Sequence, residues 1–288
     1  MKRFLVLVTL AMVLGAAAAA QAADTLHLVI MSAADPKKEG PKFEALSAYL
    51  KANSGLFGDI QLRVAKNYPE AAQLFASGEV EGMFAGSFVA GVFIKKEVAR
   101  PVARPLGTNG VSTYKALVVA KAGAKPFAGI ADFKGKRVAY SLLASSGEVF
   151  VRSLLPAGEK AEAWYTPVPA PSHQAALKAV EGGAADYAVV KNTIWKPEEY
   201  AGLAVVGSDS GENPDNTLIM PNTAFERYGA EMSRVLLGLE SDKGEKAEAV
   251  RKAFGARSFI ATGPKDFAHT FSILEKARID AKTFDFSF

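Results

Sequence analysis

Apolar and polar positions along this chain switch between two periods. Leu26 to Met31 is an almost continuous apolar run of the kind a buried strand presents. From Pro41 the spacing Phe43, Leu46, Tyr49, Leu50 places apolar side chains on one face of a helix, which Asn53-Ser54-Gly55 ends. Ile60, Leu62 and Val64 alternate as a strand, Pro69 stands where the first turn of a helix tolerates it, and Gly78 closes that helix. A strand from Gly82 to Ala85 and a helix from Phe88 follow. Such a rhythm of strand and helix predicts parallel sheets with crossover helices.

A second series begins after Tyr114 to Ala120. A short helix from Gly129 to Phe133, a strand from Arg137 to Tyr140, a helix after Gly147, and a helix capped by Ser172 and running to Val180 come next. Strands from Asp186 to Val190 and Leu203 to Gly207 complete a second sheet, and Asn216 to Met220 reads as one more strand. Thereafter the pattern is mostly helical: Thr223 to Leu239, Lys243 to Phe254 and Pro264 to Ile279. That tail has no strand and helix series of its own, so it must pack on an existing lobe. The expected organisation is a discontinuous lobe I, residues 23–113 with 218–288, interrupted by lobe II, residues 114–217. The chain crosses between them near residues 111–116 and 213–219, and two crossings make a hinge.

The first residues read as an address rather than as part of the fold. Lys2 and Arg3 precede an apolar run from Phe4 to Leu14, and small residues lead to Ala20-Gln21-Ala22, the form of a cleavable secretory signal peptide over residues 1–22. The run is shorter than the roughly 18 residues that a membrane span needs, so export to the periplasm without an anchor is expected. The ~270 residues that remain exceed the usual domain size of roughly 100 to 150, which favours two lobes over one core. There is no cysteine, hence no disulfide, thiolate chemistry or lipidated N-terminus. The formal net charge of +4 loses two cations with the signal peptide, and no basic stripe is interleaved with aromatics, so nucleic acid is not an expected partner. A monomer is expected, and neither a cofactor nor a metal-ligand cluster is indicated.

Taken together, Asn67-Tyr68-Pro69-Glu70, Gly82-Met83-Phe84-Ala85-Gly86-Ser87, Asp132-Phe133-Lys134-Gly135-Lys136-Arg137-Val138-Ala139, Ala144-Ser145-Ser146-Gly147 and Ser172-His173-Gln174-Ala175-Ala176-Leu177 resemble the phosphate, phosphite and phosphonate-binding family of periplasmic proteins that serve ABC importers. Asn213-Pro214-Asp215-Asn216-Thr217 is a further, looser match. The resemblance implies an α/β, two-lobed type II periplasmic binding protein fold with the ligand in the inter-lobe cleft, and a membrane permease as partner.

A small oxyanion that loses its hydration in a closing cleft needs oriented donors, which helix N-termini supply through free N–H groups and the positive end of the helix dipole. Ser145, Ser146 and Gly147 lie between a strand and a helix and suit that role, although serine also caps helices with no ligand near. His173 lies in the first turn of its helix, where a ring N–H, charged when bound to a dianion, adds to the backbone donors. Ser87, in the glycine turn Gly86-Ser87-Phe88, and Tyr68 are the corresponding positions in lobe I, with ordinary turn chemistry and a core tyrosine as the plainer alternatives. Asn216 and Thr217 are candidate contacts at the hinge. His27 and His269 read as structural, and Lys115 and Lys191 as solvated lysines that add at most a positive field.

Within the resembled family, binding of aminoalkylphosphonates implies cleft carboxylates that meet the ammonium group. The corresponding places here, around Thr193 and Asn216, are neutral, and Ala85 stands where an aromatic residue often precedes the glycine. The expected ligand is therefore compact: phosphate, phosphite or a simple phosphonate. Two other roles use the same features, a ligand-sensing partner of a membrane histidine kinase and a periplasmic phosphoester-handling enzyme. Against catalysis, the sequence has no Gly-x-Ser-x-Gly elbow and no glycine-rich nucleotide loop, so no catalytic residue is assigned.

Overall fold

The computed structural model describes residues 24–31, 36–66, 68–142, 145–280 and 282–283, so the expected signal peptide lies outside the described residues. The chain first forms β1 (Asp24–Met31), α1 (Pro36–Asn53), β2 (Phe57–Ala65), α2 (Tyr68–Ala76), β3 (Gly82–Ala85), α3 (Ser87–Lys95) and β4 (Ala99–Gly107). It continues through β5 (Thr113–Tyr114), β6 (Ala116–Lys121), β7 (Lys136–Ser141), α4 (Ser146–Ser153), β8 (Tyr165–Ala170), α5 (His173–Glu181), β9 (Tyr187–Lys191), β10 (Leu203–Ser208) and β11 (Asn213–Pro214). The last part holds β12 (Thr217–Pro221), α6 (Asn222–Ala224), a π-helical turn (Phe225–Gly229), α7 (Ala230–Gly238), α8 (Glu245–Phe254), β13 (Ala256–Ala261) and α9 (Ala268–Lys276).

Two sheets organise these elements into two lobes. One has six strands in the order β13-β4-β12-β3-β1-β2, the other five in the order β10-β6-β9-β7-β8, and the short pair β11-β5 lies where the chain passes between them. The sequence rhythm predicts parallel sheets, and the β2-β1-β3 and β8-β7-β9 pairings are parallel. The sheets are nevertheless mixed. β12 and β6, by which the chain enters each sheet from the β5-β11 crossing, run antiparallel to both of their neighbours, as does β13 to β4. A strand that arrives directly from the crossing has no crossover helix to reverse it, so it enters against the parallel set.

The strands β4, β8 and β13 are absent from the sequence reading. Proline hides two of them. β8 is an edge strand, and Pro167 and Pro169, two residues apart, lack their N–H on the same side, which an edge can spare. In β4 the register slips near Pro101, and the strand then pairs with β12 over Ala99–Ala103 and with β13 over Ala103–Gly107. Each half ladders with one neighbour, so each proline needs only one side free. β13, between α8 and α9, corrects the mostly helical reading of the tail: the chain adds an outer strand to the first sheet and covers that sheet with helices.

Each sheet is packed on both faces. On the six-stranded sheet, Leu46, Leu50, Met232 and Leu236 from α1 and α7 bury one face, and Val89, Phe93 and Leu274 from α3 and α9 bury the other. Val149 of α4 joins the second cluster, so the two lobes share apolar packing. Leu177 and Val180 of α5 and Phe150 of α4 cover opposite faces of the five-stranded sheet. Among the described residues no helix is long and apolar enough to cross a membrane.

Candidate functional site

The parallel strands of both sheets end at a cleft of about 730 Å3. Its walls are the segments at and beyond strand carboxyl ends: Gly86 and Ser87 after β3, Ser141 at the end of β7 with Leu142, Ser145 and Ser146 after it, Pro171 to His173 after β8, and Asn192 and Thr193 after β9. In open α/β sheets this is where ligands bind, because helix N-termini converge there. A more open groove of about 810 Å3 between α1 and β2 is lined by Leu28, Phe43, Leu46 and other largely apolar groups, and holds none of the candidate residues.

Local sequence explains how the second sheet presents its donors. Ser145, with extended backbone (φ −67°, ψ 157°), caps α4 by accepting from the Glu148 N–H at 3.2 Å, and its hydroxyl donates to the Ser141 carbonyl. Ser172 (φ −156°, ψ 167°) caps α5 by accepting from the Ala175 N–H at 3.2 Å. Ser146 and His173 are therefore the first helical residues of α4 and α5, where backbone N–H groups have no intrahelical partner. Both also present a buried polar atom without a hydrogen-bond partner, Ser146 Oγ and His173 Nδ1, and both line the cleft. Buried polar groups are nearly always satisfied, so two orphans in one cavity point to a polar occupant. Burial, and then the charge of Lys191, lowers the His173 pKa to about 4, so the ring is neutral near pH 7 without a ligand. A proton on Nδ1 makes the neutral ring a donor.

Ser145 is committed to capping, and Gly147 is a packing residue. A Cβ on Gly147 would lie 2.3 Å from the Val189 carbonyl oxygen and 3.1 Å from Tyr140 Cβ, so its absence lets α4 settle on β9. Ser87 is fully buried; its hydroxyl donates to the Pro214 carbonyl and lies 3.0 Å from the Tyr114 hydroxyl. The Thr217 hydroxyl is buried too and donates to the Asp215 carbonyl at 2.8 Å, away from the cleft lining. Asn216 is exposed and lines the cleft. Tyr68 opens α2, but its side chain lies outside the described residues, as do Asn67 and Ala144 of the motif segments. Thr193 and Asn216, the neutral positions, both line the cleft. His27 and His269 lie off the cleft lining, paired with Glu81 (3.4 Å) and Asp209 (2.9 Å) respectively.

Lys191 departs from the sequence reading. Rather than a solvated lysine, it is a largely buried cleft residue with Nζ 3.0 Å from Asp215 Oδ1 and 3.9 Å from the centre of the Tyr114 ring. Burial disfavours the charged form of Asp215, but the Lys191 charge, its hydrogen bond and the Asn216 N–H outweigh that and hold the carboxyl below its usual range. Asp215 stands beside Asn216 in the Asn-Pro-Asp-Asn-Thr segment, so its neighbourhood was legible; the lysine that meets it, 24 residues earlier, was not. Lys42 and Lys66 also line the cleft.

No curated protein matches the chain. Among solved structures it is similar to PhnD1 of Prochlorococcus marinus in complex with methylphosphonate, with 16% identity, a TM-score of 0.70, and coverage of 88% of this chain and 98% of that one. A Xanthomonas citri protein bound to ATP gives 14% identity and a TM-score of 0.72 over 88% and 98% of the two chains. The binding-protein component of a Pseudomonas aeruginosa ABC phosphonate transporter gives 15% and 0.69 over 88% and 87%. These likenesses establish the two-lobed periplasmic binding protein fold. A family model described as ABC transporter, phosphonate, periplasmic substrate-binding protein matches residues 28–267, and the chain accordingly belongs to the family of periplasmic substrate-binding proteins of phosphonate ABC transporters.

Proposed function

We propose that this protein is the binding component of an importer for a small phosphorus oxyanion, namely phosphate, phosphite or a simple phosphonate. In this reading it captures the anion by closing lobe II, residues 114–217, onto lobe I, residues 23–113 and 218–288, about the β5-β11 crossing. The observation that carries the reading is the pair of buried, unpartnered atoms Ser146 Oγ and His173 Nδ1 at two helix N-termini on one cleft. One tetrahedral anion can accept from both, and from the free N–H groups beside them. Family membership supports a membrane permease as the partner and binding rather than catalysis as the role, and an N-terminal signal peptide accounts for export.

The test is a thermal-shift panel of phosphate, phosphite, methylphosphonate, ethylphosphonate and sulfate with the mature protein. A ligand at 100 times its dissociation constant stabilises by about 2.7 kcal/mol, so a phosphorus oxyanion raises the melting temperature clearly above sulfate. A flat response across the panel overturns the reading, as does sustained turnover of a chromogenic phosphate ester.

A further inference from the structure

Lys191 ends β9 at the carboxyl edge of the second sheet, and Asp215 lies on the return segment between β11 and β12. Their side chains are 16% and 34% exposed and meet at 3.0 Å inside the cleft. The ammonium is held from two directions, by the carboxylate and by the Tyr114 ring 3.9 Å away. Asp215 is fixed as well: its Oδ1 accepts from the Asn216 N–H at 2.8 Å, and its own N–H donates to the Ser112 carbonyl at 2.9 Å. It is the one carboxylate among the described residues of the cleft lining.

A ligand that carries both an oxyanion and an ammonium group needs a carboxylate for the second charge, because an unpaired cation in a closing, dehydrated cleft is strongly disfavoured. Here the carboxylate already holds a lysine. We propose that Lys191 is a specificity-determining residue: its own ammonium occupies the place beside Asp215 that an amino group on the ligand would need, and so restricts the site to phosphorus oxyanions without an amine. The inference rests on the binding function proposed above and narrows its ligand class. An aminoalkyl ligand meets two obstacles, a partner already taken and a like charge beside it, which is discrimination by repulsion as much as by fit. An amine-free anion meets a pair that is neutral as a unit, and the donors at Ser146 and His173 remain open to it.

The experiment compares ethylphosphonate with 2-aminoethylphosphonate by titration calorimetry, since the two differ chiefly by the amino group. The wild-type protein binds ethylphosphonate at least tenfold more tightly. Lys191→Met keeps the length of the side chain and removes its charge, which frees Asp215; it binds the aminophosphonate at least as well as ethylphosphonate. Lys191→Met with Asp215→Asn removes both charges and gives an intermediate ratio. Should the single variant fail to fold, the double variant, which leaves no unpaired charge, is read alone: a ratio about threefold or more below wild type supports the assignment, and an unchanged ratio overturns it. Equal binding of the two ligands by the wild type overturns it too, while leaving the oxyanion site standing. If no phosphorus oxyanion binds the wild type, the underlying function fails and this inference with it.

Discussion

The Ser87 hydroxyl touches both strands of the crossing between the sheets: it donates to the Pro214 carbonyl of β11 and lies 3.0 Å from the Tyr114 hydroxyl of β5. The first turn of α3 is thereby fastened to both crossings of the chain. A serine that the sequence offers as a ligand donor has its proton committed to fastening the β5-β11 crossing to α3. In the closure proposed above, this leaves lobe II as the moving wall, with α4 and α5 carrying the open donors.

Ser87→Ala removes those bonds from a fully buried position and deprives the Pro214 carbonyl of a donor. Loss of a buried hydrogen bond that strands its partner costs about 1–3 kcal/mol, which for a chain of this size lowers the melting temperature by roughly 2–4 °C per kcal/mol. Thermal melts of the unliganded protein check this. A variant as stable as the wild type would show that the contacts carry no load.

Ser146→Ala has the opposite signature. Its hydroxyl is buried without a partner, so its removal costs the free protein nothing and relieves an unsatisfied group. Methylphosphonate binding, in contrast, loses a hydrogen bond to a charged acceptor worth about 1.5–3 kcal/mol, or roughly 10- to 100-fold in affinity. Melting of the free variant and calorimetric titration with methylphosphonate separate the two effects. Lower stability with full affinity would make Ser146 a structural residue.

Gly147→Ala is expected to damage packing and binding together. The added methyl group would sit 2.3 Å from the Val189 carbonyl oxygen, so α4 must lift from β9 and carry Ser146 with it. Overpacking of this kind costs about 1–3 kcal/mol. Gly202→Ala, with nothing within 4 Å of the new methyl group, serves as the control and stays within about 0.5 kcal/mol. Urea denaturation of both variants gives the comparison, and equal midpoints would remove the packing argument for Gly147.

How far the site was legible follows from how each residue acts. Ser145, Ser146 and His173 act through local geometry, a cap and a first helical turn, and short motifs encode local geometry, so their segments are legible in the sequence alone. Ser87 and Gly147 lie in the right segments, but their roles depend on what packs against them from β5, β9 and β11, and no motif states that. Lys191 is the extreme case. A lysine at a strand end is ordinarily solvated, and only the return of the chain at Asp215 and the Tyr114 ring make it a buried cation. The fold divides in the same way: strands with apolar runs were visible, whereas β4 and β8 carry prolines whose tolerance depends on which side of the strand is paired.

The pH response of the free protein tests the environment of His173. Burial and the Lys191 charge lower its pKa from 6.5 to about 4. A histidine whose folded pKa lies below its unfolded value binds fewer protons when folded, so stability rises with pH between the two values. The contribution of the neutral ring is complete above about pH 6.5 and is lost as pH falls towards about 4, at no more than about 1.4 kcal/mol per pH unit. His173→Asn has no group that titrates there, so its melting temperature falls less than that of the wild type between about pH 7 and pH 4.5. Lys191→Met removes the second cause of the shift and brings the folded pKa closer to the ordinary histidine value, so the loss still begins near pH 6.5 but ends at a higher pH and is smaller in total than in the wild type. Melts of the three proteins across this range are the measurement. Parallel declines for wild type and His173→Asn would mean that the ring is solvated in solution, and with that the polar orphan on which the binding site is built would be gone.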